Sequence, residues 1–77
     1  MIFLNDNITT MEFVIKVLKQ IFNKNQEQAE NITRKIHEDG QGIVGSFVHE
    51  VAEQKGIETT LLARQENFPL QVKVKKK

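Results

Sequence analysis

Three polar residues, Asn5, Asp6 and Asn7, follow directly on the apolar run Ile2, Phe3 and Leu4, and with His37 they are the side chains best able to do chemistry here. Asn and Asp terminate strands and bond nearby backbone N–H groups in side-chain turns, which accounts for the cluster without any ligand. His37 stands four residues after Thr33 and one after Ile36, so all three project from roughly the same side of a helix. A lone histidine beside apolar residues is usually structural. Metal binding by His37, His49 and Asp39 lacks an i, i+4 pair of strong ligands. Ser46 is flanked by strand residues rather than set in a nucleophile elbow. These residue types point to a binder rather than a catalyst.

The elements that position them can be read from periodicity. Ile2, Phe3 and Leu4 form a short strand that stops at the polar turn. Thr9 precedes Glu12 by three residues, the spacing of a capping box, and predicts a helix from about Thr10. Phe13, Val14, Val17, Leu18, Ile21 and Phe22 give that helix a broad apolar stripe before Asn23, Lys24 and Asn25 stop it. Asn25 and Gln28 repeat the capping spacing, and Ala29, Ile32 and Ile36 mark a second helix over Gln26–Asp39.

Glycines at 40, 42 and 45 permit tight turning, and Ile43, Val44, Phe47 and Val48 supply material for a second strand. A third helix covers residues 49–67 with an imperfect pattern. Val51, Ala52, Leu62 and Ala63 suit one face, while Ile57 and Leu61 sit elsewhere. Gly56 weakens this helix by roughly 1 kcal/mol relative to Ala. After Pro69, Leu70, Val72 and Val74 alternate with Gln71, Lys73 and Lys75, as in a half-buried strand with one wet face. The order strand, helix, helix, strand, helix, strand predicts an α/β (α+β) two-layer sandwich, a three-stranded antiparallel sheet packed against three helices.

The 77 residues fit one domain with a small core, so a deep enclosed cleft is not expected. No apolar run is long enough to span a bilayer, and no secretory signal opens the chain. The absence of Cys excludes disulfides and thiolate zinc sites and favours a reducing compartment; the expectation is a cytoplasmic protein. The 11 basic residues nearly balance the 10 acidic ones, giving no global attraction to nucleic acid. The basic cluster over residues 73–77 reads as a solvated edge strand and chain end, where lysines discourage strand addition.

Taken in order, the motifs LNDxxTxMEFV, IHEDGQGIVGSFVHEVAEQK and ARQENFPL resemble the ClpS adaptor family, without a gap over residues 4–70. The resemblance implies an adaptor, not an enzyme, with no cofactor, no metal and no nucleic-acid or membrane partner. It would recognise N-degrons, proteins that begin with Leu, Phe, Tyr or Trp, and deliver them to a Clp-type AAA+ unfoldase of the ClpA or ClpC class. It implies that Asn5, Asn7 and His37, with Asp6 beside them, bind the substrate α-amino group. It implies a pocket for the first side chain walled by Thr9, Met11, Val14, Thr33, Ile36 and Leu70, with Met11 at the mouth rejecting side chains branched at Cβ. Glu50, Glu53 and Lys55 match positions that dock on the unfoldase N-terminal domain.

The assignment makes physical sense, since an amine with three N–H donors needs several acceptors, and amide oxygens, a carboxylate and an imidazole nitrogen supply them. An ammonium group gives up its water only where such acceptors replace it.

Three departures from the family pattern matter. Asn7 stands where Asp is common, which removes a formal charge that Asp6 would have to replace. Thr33 replaces a larger apolar residue, usually Met, leaving more volume and one hydroxyl, so aromatic residues should be tolerated well and Leu held less tightly. Only residues 1–3 precede the motif, so the family's flexible N-terminal tail is expected to be absent and delivery impaired while binding survives. The rival readings are a small nucleic-acid or ribosome-associated module, suggested by the basic end, and a metal or hydrolytic enzyme built on His37. Neither explains the amide cluster.

Overall fold

A computed structural model describes residues 1–74. The elements run β1 (Ile2–Leu4), α1 (Met11–Gln20), α2 (Gln26–Asp39), β2 (Gln41–Ile43), α3 (His49–Gln65) and β3 (Gln71–Lys73). The sheet order is β2-β1-β3 with both pairings antiparallel. This is the expected sandwich, with β1 in the middle.

Directly opposed residues share a sheet face, so Phe3, Gly42 and Val72 form one face, while Ile2, Ile43 and Lys73 belong to the other. The helices cover the Phe3 face. Phe3 is fully buried there among Phe13, Val14, Val17, Leu18, Phe22, Ile36 and Leu70, and meets the Phe22 ring edge-on at 5.5 Å. On the other face Ile43 is 74% exposed at the sheet edge, while Ile2 on the central strand is 8% exposed.

α2 begins as its sequence predicts. The Asn25 side chain accepts the Gln28 N–H at 2.8 Å, and the Gln28 side chain accepts the Asn25 N–H at 3.1 Å, a complete capping box. It ends at Gly40, whose φ of 83° favours glycine, with the Gly40 N–H donating to the Ile36 carbonyl.

α1 corrects the expected cap. Thr10, not Thr9, is the N-cap, and its hydroxyl accepts the Phe13 N–H at 3.2 Å. With the cap moved by one residue, Phe13 takes the third helical position and Glu12 cannot complete a box. The hydroxyl of Thr9 is engaged elsewhere, as shown below. α1 also stops before Ile21 and Phe22: Asn23 adopts a φ of 55°, and the Lys24 N–H closes on the Leu18 carbonyl.

The second strand is shorter than its composition predicts. Its register with β1 ends at the Ile2 and Ile43 pair, beyond which the Val44 N–H donates to the Met1 carbonyl and the Met1 ammonium donates to the Gly45 carbonyl, both at 2.9 Å. A strand needs a partner along its whole length, so residues 44–48 form no ladder and Val48 serves as the N-cap of α3.

α3 turns Ala52, Gly56, Thr59 and Ala63 inward. Val51, expected on that face, is exposed, as are Ile57 and Leu61. Small residues face the sheet because the helix sits close to it: a Cβ on Gly56 would lie 3.6 Å from Val74 and 3.9 Å from Val72. β3 is an edge strand whose side chains alternate exposed, half-buried, exposed, as expected. The expected continuation through Lys75, and most of the basic cluster, lie outside the described residues.

Candidate functional site

The segment between β1 and α1 is organised by one carboxylate. Asp6 Oδ1 accepts the N–H groups of Ile8 at 2.8 Å and Thr9 at 2.7 Å, and Oδ2 accepts the Thr9 hydroxyl at 2.7 Å. Burial opposes ionisation of Asp6, but the Thr9 N–H, the Thr9 hydroxyl, the Ile8 N–H and the charge of Arg64 outweigh it and hold its pKa below the ordinary value. The turn is anchored at its other end where the Asn5 N–H donates to the Gly40 carbonyl at 2.9 Å. That bond sets the amide cluster beside the end of α2, which carries His37.

Asn5, Asp6, Asn7, Thr9, Met11, Val14, Thr33, Ile36 and His37 together line a concavity of about 230 Å³. Met11 and Val14 are three apart on α1, and Thr33, Ile36 and His37 occupy i, i+3 and i+4 on α2, so each helix contributes one face. Val14, Thr33 and Ile36 are buried, whereas Asn5, Asn7, His37 and Met11 are exposed. The site thus has an apolar interior and a polar rim. Thr33 donates its hydroxyl proton to the Ala29 carbonyl at 2.7 Å, so it satisfies that proton inside its own helix.

Every residue expected at this site from the sequence lines the concavity except Leu70. Leu70 is 1% exposed in the same buried cluster as Val14 and Ile36, and is not among the residues that line the concavity. Asp6 is placed at the site with both its oxygens bonded within the turn, so its charge is held there in a fixed position rather than on a side chain free to swing toward a ligand. Gly42 supports the site without lining it, and its signal in the sequence was only a glycine in a strand. A Cβ there would fall 2.6 Å from Ile36 Cγ1, so glycine lets α2 bring Ile36 down onto the sheet.

Glu50 and Glu53 are exposed on the first turns of α3, where Glu53 Oε1 lies 2.7 Å from His49 Nε2. Lys55 is half-buried and turned inward. Its Nζ donates to the Ile21 carbonyl at 2.7 Å and lies 5.5 and 5.4 Å from the ring centres of Phe22 and Phe47. It ties α3 to the end of α1.

Among the described residues, no cluster of three or more His, Asp or Glu side chains is placed to hold a metal ion. No helix among them is long and apolar enough to cross a membrane.

Residues 1–73 match the family described as ATP-dependent Clp protease adaptor protein ClpS. The chain is 48% identical over 75 residues to the ATP-dependent Clp protease adapter protein ClpS of Treponema denticola, covering 97% of this chain and 74% of that protein. It is 47% identical over 73 residues to the ClpS adapter of Rhodospirillum centenum, covering 95% of this chain and 68% of that one. Its fold matches the solved structure of Agrobacterium tumefaciens ClpS2 bound to L-phenylalaninamide with a TM-score of 0.88 and 33% identity, covering 91% of this chain and 84% of that chain. A sandwich of this topology and a sequence match of this extent lead to one conclusion: the chain belongs to the ClpS family of Clp protease adaptors and is an adaptor rather than an enzyme.

Proposed function

We propose that this adaptor captures proteins through a free amino terminus that begins with a bulky hydrophobic residue, and delivers them to a Clp AAA+ unfoldase of the ClpA or ClpC class in the cytoplasm. Asn5, Asn7 and His37 accept from the α-ammonium at the rim, with the Asp6 carboxylate contributing charge from within the turn. The first side chain enters between Thr9, Met11, Val14, Thr33 and Ile36, with Leu70 in the core beneath, and Met11 at the mouth excludes side chains branched at Cβ.

The observation that carries this reading is the convergence of the amide cluster, His37 and the apolar residues on one concavity. Its size supports a single residue as ligand, being smaller than the roughly 300–1,000 Å³ of sites for drug-sized molecules. Further support comes from the Agrobacterium relative, whose ligand carries a free α-amine on a phenyl-bearing residue.

Burying a Leu or Phe side chain contributes roughly 1.5–3 kcal/mol, and each charge-assisted bond to the amine roughly 1.5–3 kcal/mol. After an association cost of at least about 4 kcal/mol, the result is weak to micromolar affinity, suited to handover. An acetylated chain end has no charge and strands the acceptors, so the rim distinguishes chain starts from internal sequence. Docking on the unfoldase N-terminal domain is assigned to Glu50 and Glu53 on the exposed side of α3, with Lys55 bracing that helix.

The test compares a fluorescent peptide beginning with Phe with its acetylated form. Binding of the free form alone is the expected result. Equal binding of both would overturn amine recognition, and binding of neither would overturn the capture function.

A further inference from the structure

The interior of the concavity carries a polar atom whose hydrogen-bonding character is determined by its own helix. Thr33 is 4% exposed and lines the site between Val14 and Ile36. A hydroxyl offers one donor and two acceptor positions. The donor is committed to the Ala29 carbonyl at 2.7 Å, which leaves Oγ1 able to accept and unable to donate. The other hydroxyl in the lining, that of Thr9, has likewise given its proton to Asp6 Oδ2. The hydroxyls of both lining threonines are therefore left able only to accept, and Thr33 is buried beside the apolar Val14 and Ile36.

We propose that Thr33 is a specificity-determining residue that favours substrates beginning with tyrosine, whose phenol donates to Thr33 Oγ1, over those beginning with phenylalanine. The inference rests on the capture function proposed above and adds to it a choice among aromatic residues. A site with a dry acceptor discriminates by what the ligand brings. A donor satisfies it, whereas a hydrocarbon of similar shape leaves it unpaired and excludes the water that would have served instead. Shape contributes little to this choice, because the two side chains differ by one oxygen at the ring tip.

The test measures affinities of peptides identical except for a first residue of Phe, Tyr or 4-fluorophenylalanine. The fluorinated residue extends the ring at the same position but has no proton to give. The expected order places Tyr about three- to ten-fold tighter than Phe, the range of one net hydrogen bond, with 4-fluorophenylalanine no tighter than Phe.

Thr33→Val keeps the branched shape and removes the acceptor, and should bring the Tyr to Phe ratio to one or below by relieving the penalty on Phe and removing the bond to Tyr. Thr33→Ser keeps the hydroxyl and should keep the preference, which separates acceptor chemistry from any loosening of the helix. Tyr binding no better than Phe in the native chain, or a ratio unchanged by Thr33→Val, would overturn the inference while leaving capture intact. Failure of every free-amine peptide to bind would overturn capture and this inference together.

Discussion

Asp6 and Thr9 are joined twice, through the Thr9 N–H to Oδ1 and the Thr9 hydroxyl to Oδ2, both at 2.7 Å. The pair closes the loop between β1 and α1 and presents Asn5 and Asn7 on either side of a fixed carboxylate. It also explains why the helix cap falls on Thr10, since a Thr9 hydroxyl bound to Asp6 is turned away from the first turn of α1.

Replacing Asp6 with Ala should lower stability by about 1–2 kcal/mol, the net value of bonds to a partly exposed carboxylate, and weaken capture of a Phe-initiated peptide at least ten-fold. Thermal melts and peptide titration on the same samples check both. The effect has a defined pH dependence. The folded pKa of Asp6 lies below its ordinary value of 3.8, so its contribution is complete above that value and is lost as pH falls through the folded pKa. The melting difference between the native chain and Asp6→Asn should therefore be largest near neutrality and narrow below about pH 4.

His37→Ala should separate binding from folding. The side chain is exposed and forms no hydrogen bond among the described residues, so melting should shift by less than about 0.5 kcal/mol. Loss of one acceptor for the ammonium should weaken the free-amine peptide about ten-fold or more. Titration beside a melt of the same variant reads the two effects apart.

Two glycines should respond in opposite directions. Gly42→Ala drives a Cβ to within 2.6 Å of Ile36 Cγ1 and should cost about 1–3 kcal/mol, with a loss of affinity as Ile36 is displaced. At Gly56 the nearest atom to an added Cβ is 3.6 Å away, an ordinary contact. Gly56→Ala should therefore raise stability by up to about 1 kcal/mol through helix propensity. Denaturant unfolding of both variants checks the contrast.

Lys55→Met should destabilise the fold by about 1–2 kcal/mol, because the Ile21 carbonyl loses its donor and the rings of Phe22 and Phe47 lose their cation. Glu50→Gln should leave melting unchanged. If both variants weaken binding to the unfoldase domain, only the first should do so in proportion to its lost stability. Melting and binding assays in parallel distinguish the bracing role from surface contact.

How much could be read from the chain alone depended on how local the cause was. The capping box of α2 lies within four consecutive residues, and the apolar stripes of α1 and α2 repeat within two turns, so these were legible as spacing. The order of elements followed, and so did the sandwich. α3 was harder, because the residues it turns inward, Ala52, Gly56, Thr59 and Ala63, are small rather than hydrophobic, and their burial reflects the closeness of β3. The site residues were named from a family likeness, which the periodicity of Asn5 to Asn7 could not have supplied.

Tertiary structure alone decided what each polar group at the site is free to do. Two residues, Thr9 and Thr10, each had the chemistry of a cap, and the choice depended on Asp6 three residues away in a folded turn. The retreat of Leu70 from the concavity and the inward turn of Lys55 onto α1 depended on packing between segments far apart in the chain. Sequence determines which donors and acceptors a protein owns. Only the folded chain determines which of them are already engaged with one another, because each such bond needs two groups brought within about 3 Å by the rest of the molecule.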